Sequence, residues 1–320
     1  MENQADDGIL GELQNELRKL PNKSLFFGLL AAWFALFHFV GNSTLGYVHS
    51  PSLFAWALDA YHPSGDYASS EDVMGMIMPF IVVAVLGWKL KQLVELPLKT
   101  WVPGLGLLGL ALMLHLLGFI VQQPRISMIA FLAGLYVLMG LVWGPAWLRG
   151  TLFPMFLLAV CVPLGSHGQV ITTPLQHLVA RLVEKIAHLG LAPDLVREGT
   201  QIFDAHSAFR YDIAPACSGI RSLTTLLSLT TVFGFLCFKS AWRRAFFVLV
   251  AFPLAVFCNV MRISFVVFVA EMFGQDAGAF VEQKAGFVTF ALAITVVLFL
   301  EHWLREDKIE PSLPLEPETP

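Results

Sequence analysis

A cysteine placed just after a proline at the head of an apolar run can serve as a nucleophile. In YDIAPACSGIRSLTTLLSLTT, Tyr211 to Thr231, Pro215 disfavours helix in the residue before it and is tolerated in a first helical turn. The sequence therefore predicts a helix that starts here with Cys217 at its N-terminal end. Unpaired backbone N–H groups and the helix dipole favour a thiolate over a thiol at that position. Arg221, one turn on, adds positive charge if it points to the same face. A lone cysteine at such an end is more often a small apolar residue, so the chemistry needs partners from elsewhere.

Three other segments offer them. The sequence CNVMRIS carries Asn259 and Arg262, three apart and on one face if the helix persists. An arginine at the end of an apolar run is costly unless it snorkels or is paired, and intramembrane polar groups mark function by default. Glu282, Gln283 and Lys284 open the last apolar run. His206 and Arg210 lie on a loosely alternating stretch that leads to Cys217, close enough in sequence to reach the thiol. Taken singly, each of these polar residues reads as a solvated outer-face residue.

The elements that must position these groups are membrane helices. The chain is 56% hydrophobic and 14% charged, with a mean hydropathy of +0.68, which excludes an ordinary soluble domain. Apolar runs at Leu25–Val40, Val73–Trp88, Val102–Val121, Ile126–Leu148, Thr151–Leu164, Cys217–Phe238, Ala241–Val260 and Phe280–Leu304 predict an all-α polytopic bundle of about eight transmembrane helices. The polar residues 1–24 lack the charged start and apolar core of a cleaved signal. Residues 305–320, acidic and proline-rich, read as a disordered tail. Lys and Arg concentrate at 18–23, 89–99, 149, 239–244 and 305–308, whereas Gly41 to Asp72 has none, so both termini are expected in the cytoplasm. Cys217, Asn259 and Arg262 then share the outer face, and Glu282, Gln283 and Lys284 return to it.

The segment 165–216 is the longest on that outer side. Ile171, Leu175, Leu178, Leu182, Ile186 and Leu189 recur every three or four residues and predict an amphipathic outer-face helix, with Arg181, Glu184, Lys185 and His188 on its other positions. It is expected to lie along the membrane or to cap the bundle. A short extended piece follows Pro193. The cysteines Cys161, Cys237 and Cys258 lie inside apolar runs and no C-x-x-C occurs, which argues against a disulfide framework or zinc site.

ACSGIRSL at Ala216 to Leu223, the N-x-x-R of Asn259 to Arg262, and A-G-F at Ala285 to Phe287 occur in an order and on a shared side that resemble the exosortase and archaeosortase family of membrane cysteine transpeptidases. The resemblance covers residues 25–304. It implies that Cys217 and Arg262 are catalytic, with Arg221 and Asn259 in support, and that a third basic group stands four residues before the Gly of the A-G element. That position holds Glu282 where the family usually has His. Lys284, Glu282 and His206 are the candidates for the role, and a relative that has lost turnover and serves as a scaffold is the alternative.

The resemblance further implies a multi-pass protein of the cytoplasmic membrane, active at its outer face. Its partners would be secreted proteins with a tripartite C-terminal sorting signal, namely a Pro-containing motif, a transmembrane helix and a basic cluster, together with an amine or hydroxyl acceptor in the lipid environment. Such chemistry needs no cofactor or metal, and nothing in the chain points to nucleic acid. A transporter would explain the spans but predicts internal repeats and midplane charges. An intramembrane serine protease lacks a G-x-S-x-G and a His partner for Ser218.

Overall fold

The computed structural model describes residues 11, 13–61, 74–164, 169–191, 195–204, 210–212 and 220–304. Cys217, His206 and the tail 305–320 lie outside the described residues, as do the side chains of Arg221, Gln283 and Ile171. The described chain is a helical membrane protein. Helix α1 (Leu13–Lys19) meets α2 (Lys23–Phe39) at 98°. Then come α3 (Leu53–Tyr61), α4 (Met74–Trp88), α5 (Leu90–Val94), α6 (Gly104–Ile120), α7 (Pro124–Trp143) and α8 (Pro145–Phe156), the last continued by a 3-10 turn at Leu157–Cys161. After α9 (Gln169–Ile186), strands β1 (Leu195–Glu198), β2 (Gln201–Asp204) and β3 (Arg210–Asp212) lead to α10 (Ile220–Cys237), α11 (Ala241–Phe273) and α12 (Gln275–Leu304).

Among the described residues, each of the eight apolar runs lies mostly on helix. By length and apolarity, α7, α11 and the Lys284–Leu304 part of α12 can each cross a membrane, and α1 with α2 makes a fourth if the bent pair is one span. The apolar parts of α4, α6, α8 with its 3-10 extension, and α10 are shorter. Eight full-length spans are therefore more than helix length alone delivers. In the fifth run, α-helix tightens to 3-10 immediately beyond Pro154.

Two hydrophobic clusters seat the first half. Phe37, Leu53, Met78, Ala130, Phe131, Leu138 and Leu157 join α2, α3, α4, α7 and the 3-10 turn. Leu20, Phe26, Leu93, Val142, Trp143 and Trp147 join the polar N-terminal segment to the ends of α5, α7 and α8. Trp33 donates from Nε1 to the carbonyl of Phe131 at 3.1 Å. A methyl at Gly134 would lie 2.0 Å from the Trp33 ring, so only glycine admits this crossing of α2 and α7.

The second half is built on one hairpin. Only Gly274 separates α11 from α12, and its φ of 88° with ψ of 168° is a region essentially confined to glycine. At 33 and 30 residues, the two helices run about 50 and 45 Å. Positions equally far from Gly274 therefore meet. The seam holds Ala251 and Ala255 on α11 and Ala293 and Val297 on α12, with Leu226 of α10 closing against them. Small residues there let the backbones approach.

Hydropathy ends the seventh run at Val260, yet α11 continues unbroken to Phe273. Its continuation supports the outer segment. Val179, Ala180, Val183 and Ala187 of α9 and its π turn pack with Leu195 and Ile202 of the sheet onto Val260, Ile263, Val267 and Ala270 of α11. The stripe expected on α9 holds at Leu175, which is buried, and at Leu182 and Ile186, which pack against this cluster, but not throughout. Leu178 is exposed, as is Leu189 beyond the helix end, while the smaller valines and alanines form the buried face. The expected extended piece is a three-stranded antiparallel sheet in the order β1-β2-β3. Arg197 of β1 pairs with Glu184 of α9 at 2.7 Å and ties the two together.

Candidate active site

The hairpin register decides what surrounds Arg262. Arg262 stands twelve residues before Gly274 and Gly286 twelve after, so the two face each other about 18 Å from the turn. A Cβ built on Gly286 would lie 4.0 Å from Arg262 Nη1. The A-G-F element thus supplies the side-chain-free surface that lets the guanidinium lie against α12. Asn259 and Thr289 are likewise equidistant from the turn, as are Cys258 and Phe290. With Leu226, Arg262 and Ala293 they enclose about 10 Å³, room for one water.

Asn259 is 3% exposed and Arg262 is half-buried. Among the described residues Arg262 makes no ion pair, and its Nε is buried without a hydrogen-bond partner. A cation held this way among helices is expensive, and it is suited to meeting a charge that arrives from outside.

The same geometry separates the third-position candidates. Along α12, Glu282, Gly286, Thr289 and Ala293 recur at intervals of four, three and four, which places them on the face turned to α11. Glu282 is half-buried there, one turn or about 6 Å beyond Gly286 toward the hairpin tip. Lys284 is exposed, and two residues on from Glu282 it falls on the opposite side of the helix. Cys217 lies three residues before Ile220, the first described residue of α10. His206 falls between β2 and β3, outside the described residues.

The family model described as transmembrane exosortase matches residues 67–299, well over half of the chain and all of these positions. The chain belongs to the transmembrane exosortase family. Neither the curated proteins nor the solved structures hold a significant match to it. In this exosortase relative the described residues bring Asn259, Arg262 and Gly286 together, with Glu282 on the same face and Lys284 turned away.

Sequence reasoning does not single out Gly286, Thr289, Cys258 and Leu226 as lining this site. A signal for the first three is present. Gly274 followed by a second long helix implies a hairpin, and counting outward from it pairs Gly286 with Arg262 and Thr289 with Asn259, while Cys258 is the neighbour of Asn259 in the chain. Leu226 comes from a third helix and carries no such mark. Among the described residues no cluster of His, Cys, Asp or Glu could hold a metal ion.

Proposed function

We propose that the chain is an exosortase-type cysteine peptidase and transpeptidase acting at the outer face of the cytoplasmic membrane on secreted proteins with a tripartite C-terminal signal. The observation that carries this is Arg262, a guanidinium lodged between α10, α11 and α12 with a buried Nε that no described residue satisfies. Eighteen residues, about 27 Å of helix, separate it from Arg244, close to the hydrocarbon thickness of a bilayer. No charged residue lies between them. With Arg244 at the inner boundary, Arg262 sits at the outer one. The upper hairpin, α9 and the sheet then stand outside, and all eight apolar helices cross or enter the membrane.

In this reading the Cys217 thiolate attacks the carbonyl carbon of the scissile peptide bond, forming a C–S bond and an oxyanion. Arg262 and backbone N–H groups ahead of α10 donate to that oxygen in a site of low dielectric, where fixed donors act strongly. Collapse breaks the C–N bond, the amine takes a proton, and the anchor helix leaves. An acceptor amine or hydroxyl then attacks the thioester carbon, losing its proton to a base as sulfur departs as thiolate. Glu282 is favoured for that proton because it shares the face of α12 that carries Gly286, whereas Lys284 does not.

Co-expression with a signal-bearing substrate tests the assignment. Cys217→Ala is expected to abolish processing, while Cys161→Ala, Cys237→Ala and Cys258→Ala leave it largely intact at equal membrane levels. Undiminished processing by Cys217→Ala would refute the mechanism.

A further inference from the structure

Arg262 carries donors in two settings. Nη1 lies 4.0 Å from where a Cβ on Gly286 would stand, beside the surface that the A-G-F element leaves bare. Nε is buried and has no hydrogen-bond partner among the described residues. A buried N–H left unmade forfeits the hydrogen bond it has in water, and inside a membrane bundle only protein or trapped water can replace it.

The space beside Arg262 has the size and the chemistry to do so. It measures about 10 Å³, which admits one water and nothing larger. Leu226, Cys258, Phe290 and Ala293 form its apolar walls, while Arg262, Asn259 and Thr289 bring polar groups to it. An apolar space stays dry, and a bound water needs two to four polar partners. Here a donor and two side-chain oxygens meet that need.

Thr289 is the less obvious of the two oxygens. Its hydroxyl donates to the carbonyls of Ala285 at 2.9 Å and Gly286 at 3.2 Å, one turn back on α12. The hydroxyl hydrogen is therefore committed to the helix, and the oxygen keeps lone pairs with which to accept. Thr295 bonds back in the same way, to Ala291 at 2.9 Å, but it is exposed and does not line this space. The hairpin register sets Thr289 opposite Asn259, one turn of α11 below Arg262.

We propose that one water is bound in this space, accepting from Arg262 Nε–H and donating to Thr289 Oγ1 and to the amide oxygen of Asn259. Thr289 is then a positioning residue. It never meets substrate and acts through the water, which fixes the plane of the guanidinium and leaves the Nη groups to face the reacting carbonyl. The water stands on the geometry of the hairpin alone, whereas its effect on the reaction rests on the role given to Arg262 above.

Nuclear magnetic resonance of the detergent-solubilised chain with isotope-labelled arginine tests the water without reference to activity. The Arg262 Nε–H signal, identified by its loss in Arg262→Lys, should show a cross-relaxation peak to a long-lived water. That peak should persist in Thr289→Ser and in Thr295→Val, and should vanish in Thr289→Val, which keeps the shape and removes the acceptor. A wild type without the peak overturns the proposal and needs no variant to do so. An unchanged peak in Thr289→Val, or its loss in Thr295→Val as well, overturns the part given to Thr289. In processing of a signal-bearing substrate, Thr289→Val should lower kcat about 5-fold, the net worth of one hydrogen bond, with KM unchanged and with recovery in Thr289→Ser. Full kcat in Thr289→Val overturns the positioning role. A wild type that processes nothing overturns the catalytic reading of Arg262 and not the water, which the spectrum decides.

Discussion

Arg262 and Lys differ in more than size. A guanidinium offers a planar fork of donors and stays charged at any working pH, whereas a desolvated lysine can lose its proton. Arg262→Lys is therefore expected to lower processing about 100-fold to 1,000-fold, the usual loss of one oxyanion donor, at unchanged membrane levels. The neighbouring glycine gives a sharper geometric test. A methyl at Gly286 meets Arg262 Nη1 at ordinary contact distance, so Gly286→Ala should process nearly as the wild type, and Gly286→Leu, which displaces the guanidinium, should not. At the third position, Glu282→Ala should cripple processing and Lys284→Ala should be silent. The reverse pattern, or dependence on His206, would reassign the role. An inactive wild type rescued by Glu282→His would make the chain a scaffold. The order of the motifs along the chain leads to the expectation that Cys217, Asn259 and Arg262 share one face, and of these Asn259 and Arg262 lie together among the described residues. Which of Glu282 and Lys284 turns inward is not legible in that order, because residues two apart differ only by helix phase, and phase needs a fixed partner helix to have meaning.

At the scale of elements, the helices are legible because apolar runs long enough to cross a bilayer fold as helices whatever their neighbours. Their ends are not. The seventh run breaks at Asn259 and Arg262 in hydropathy, but α11 continues to Phe273 because Ile263, Val267 and Ala270 are buried under α9 and the sheet. Apolar residues that pack on protein and those that face lipid look alike in sequence. The same ambiguity blurs the stripe on α9. Leu178, Leu182 and Ile186 line an apolar groove of about 460 Å³ against Phe252, Val256 and Met261, while the buried contact uses Val179, Ala180 and Val183. The hairpin depends on its tip. Gly274→Ala forces a side chain into a backbone region reserved for glycine and should cost about 1–3 kcal/mol, read as a lower unfolding midpoint in detergent. An unchanged midpoint would mean that the tip relaxes freely and does not set the register that joins Arg262 to Gly286.

Across the whole molecule, two charged levels lie about 27 Å apart along α11, one at Arg244 and one at Arg262, with the proposed chemistry at the second. Single cysteines introduced into a variant free of native ones test that placement. Positions in 195–198 and at Glu271 should react with an impermeant maleimide added outside intact cells, whereas positions 89 and 305 should react only after the membrane is opened. Outside labelling at position 305 would invert the molecule and separate the proposed site from secreted substrates. The most direct measurement of the central claim is the intermediate itself. With substrate present and acceptor depleted, peptide mass spectrometry of the purified chain should find a substrate-derived acyl group on Cys217, released by neutral hydroxylamine and absent in Arg262→Ala. Substrate cleavage with no acyl group on Cys217, or with the adduct on Cys258, would contradict the account.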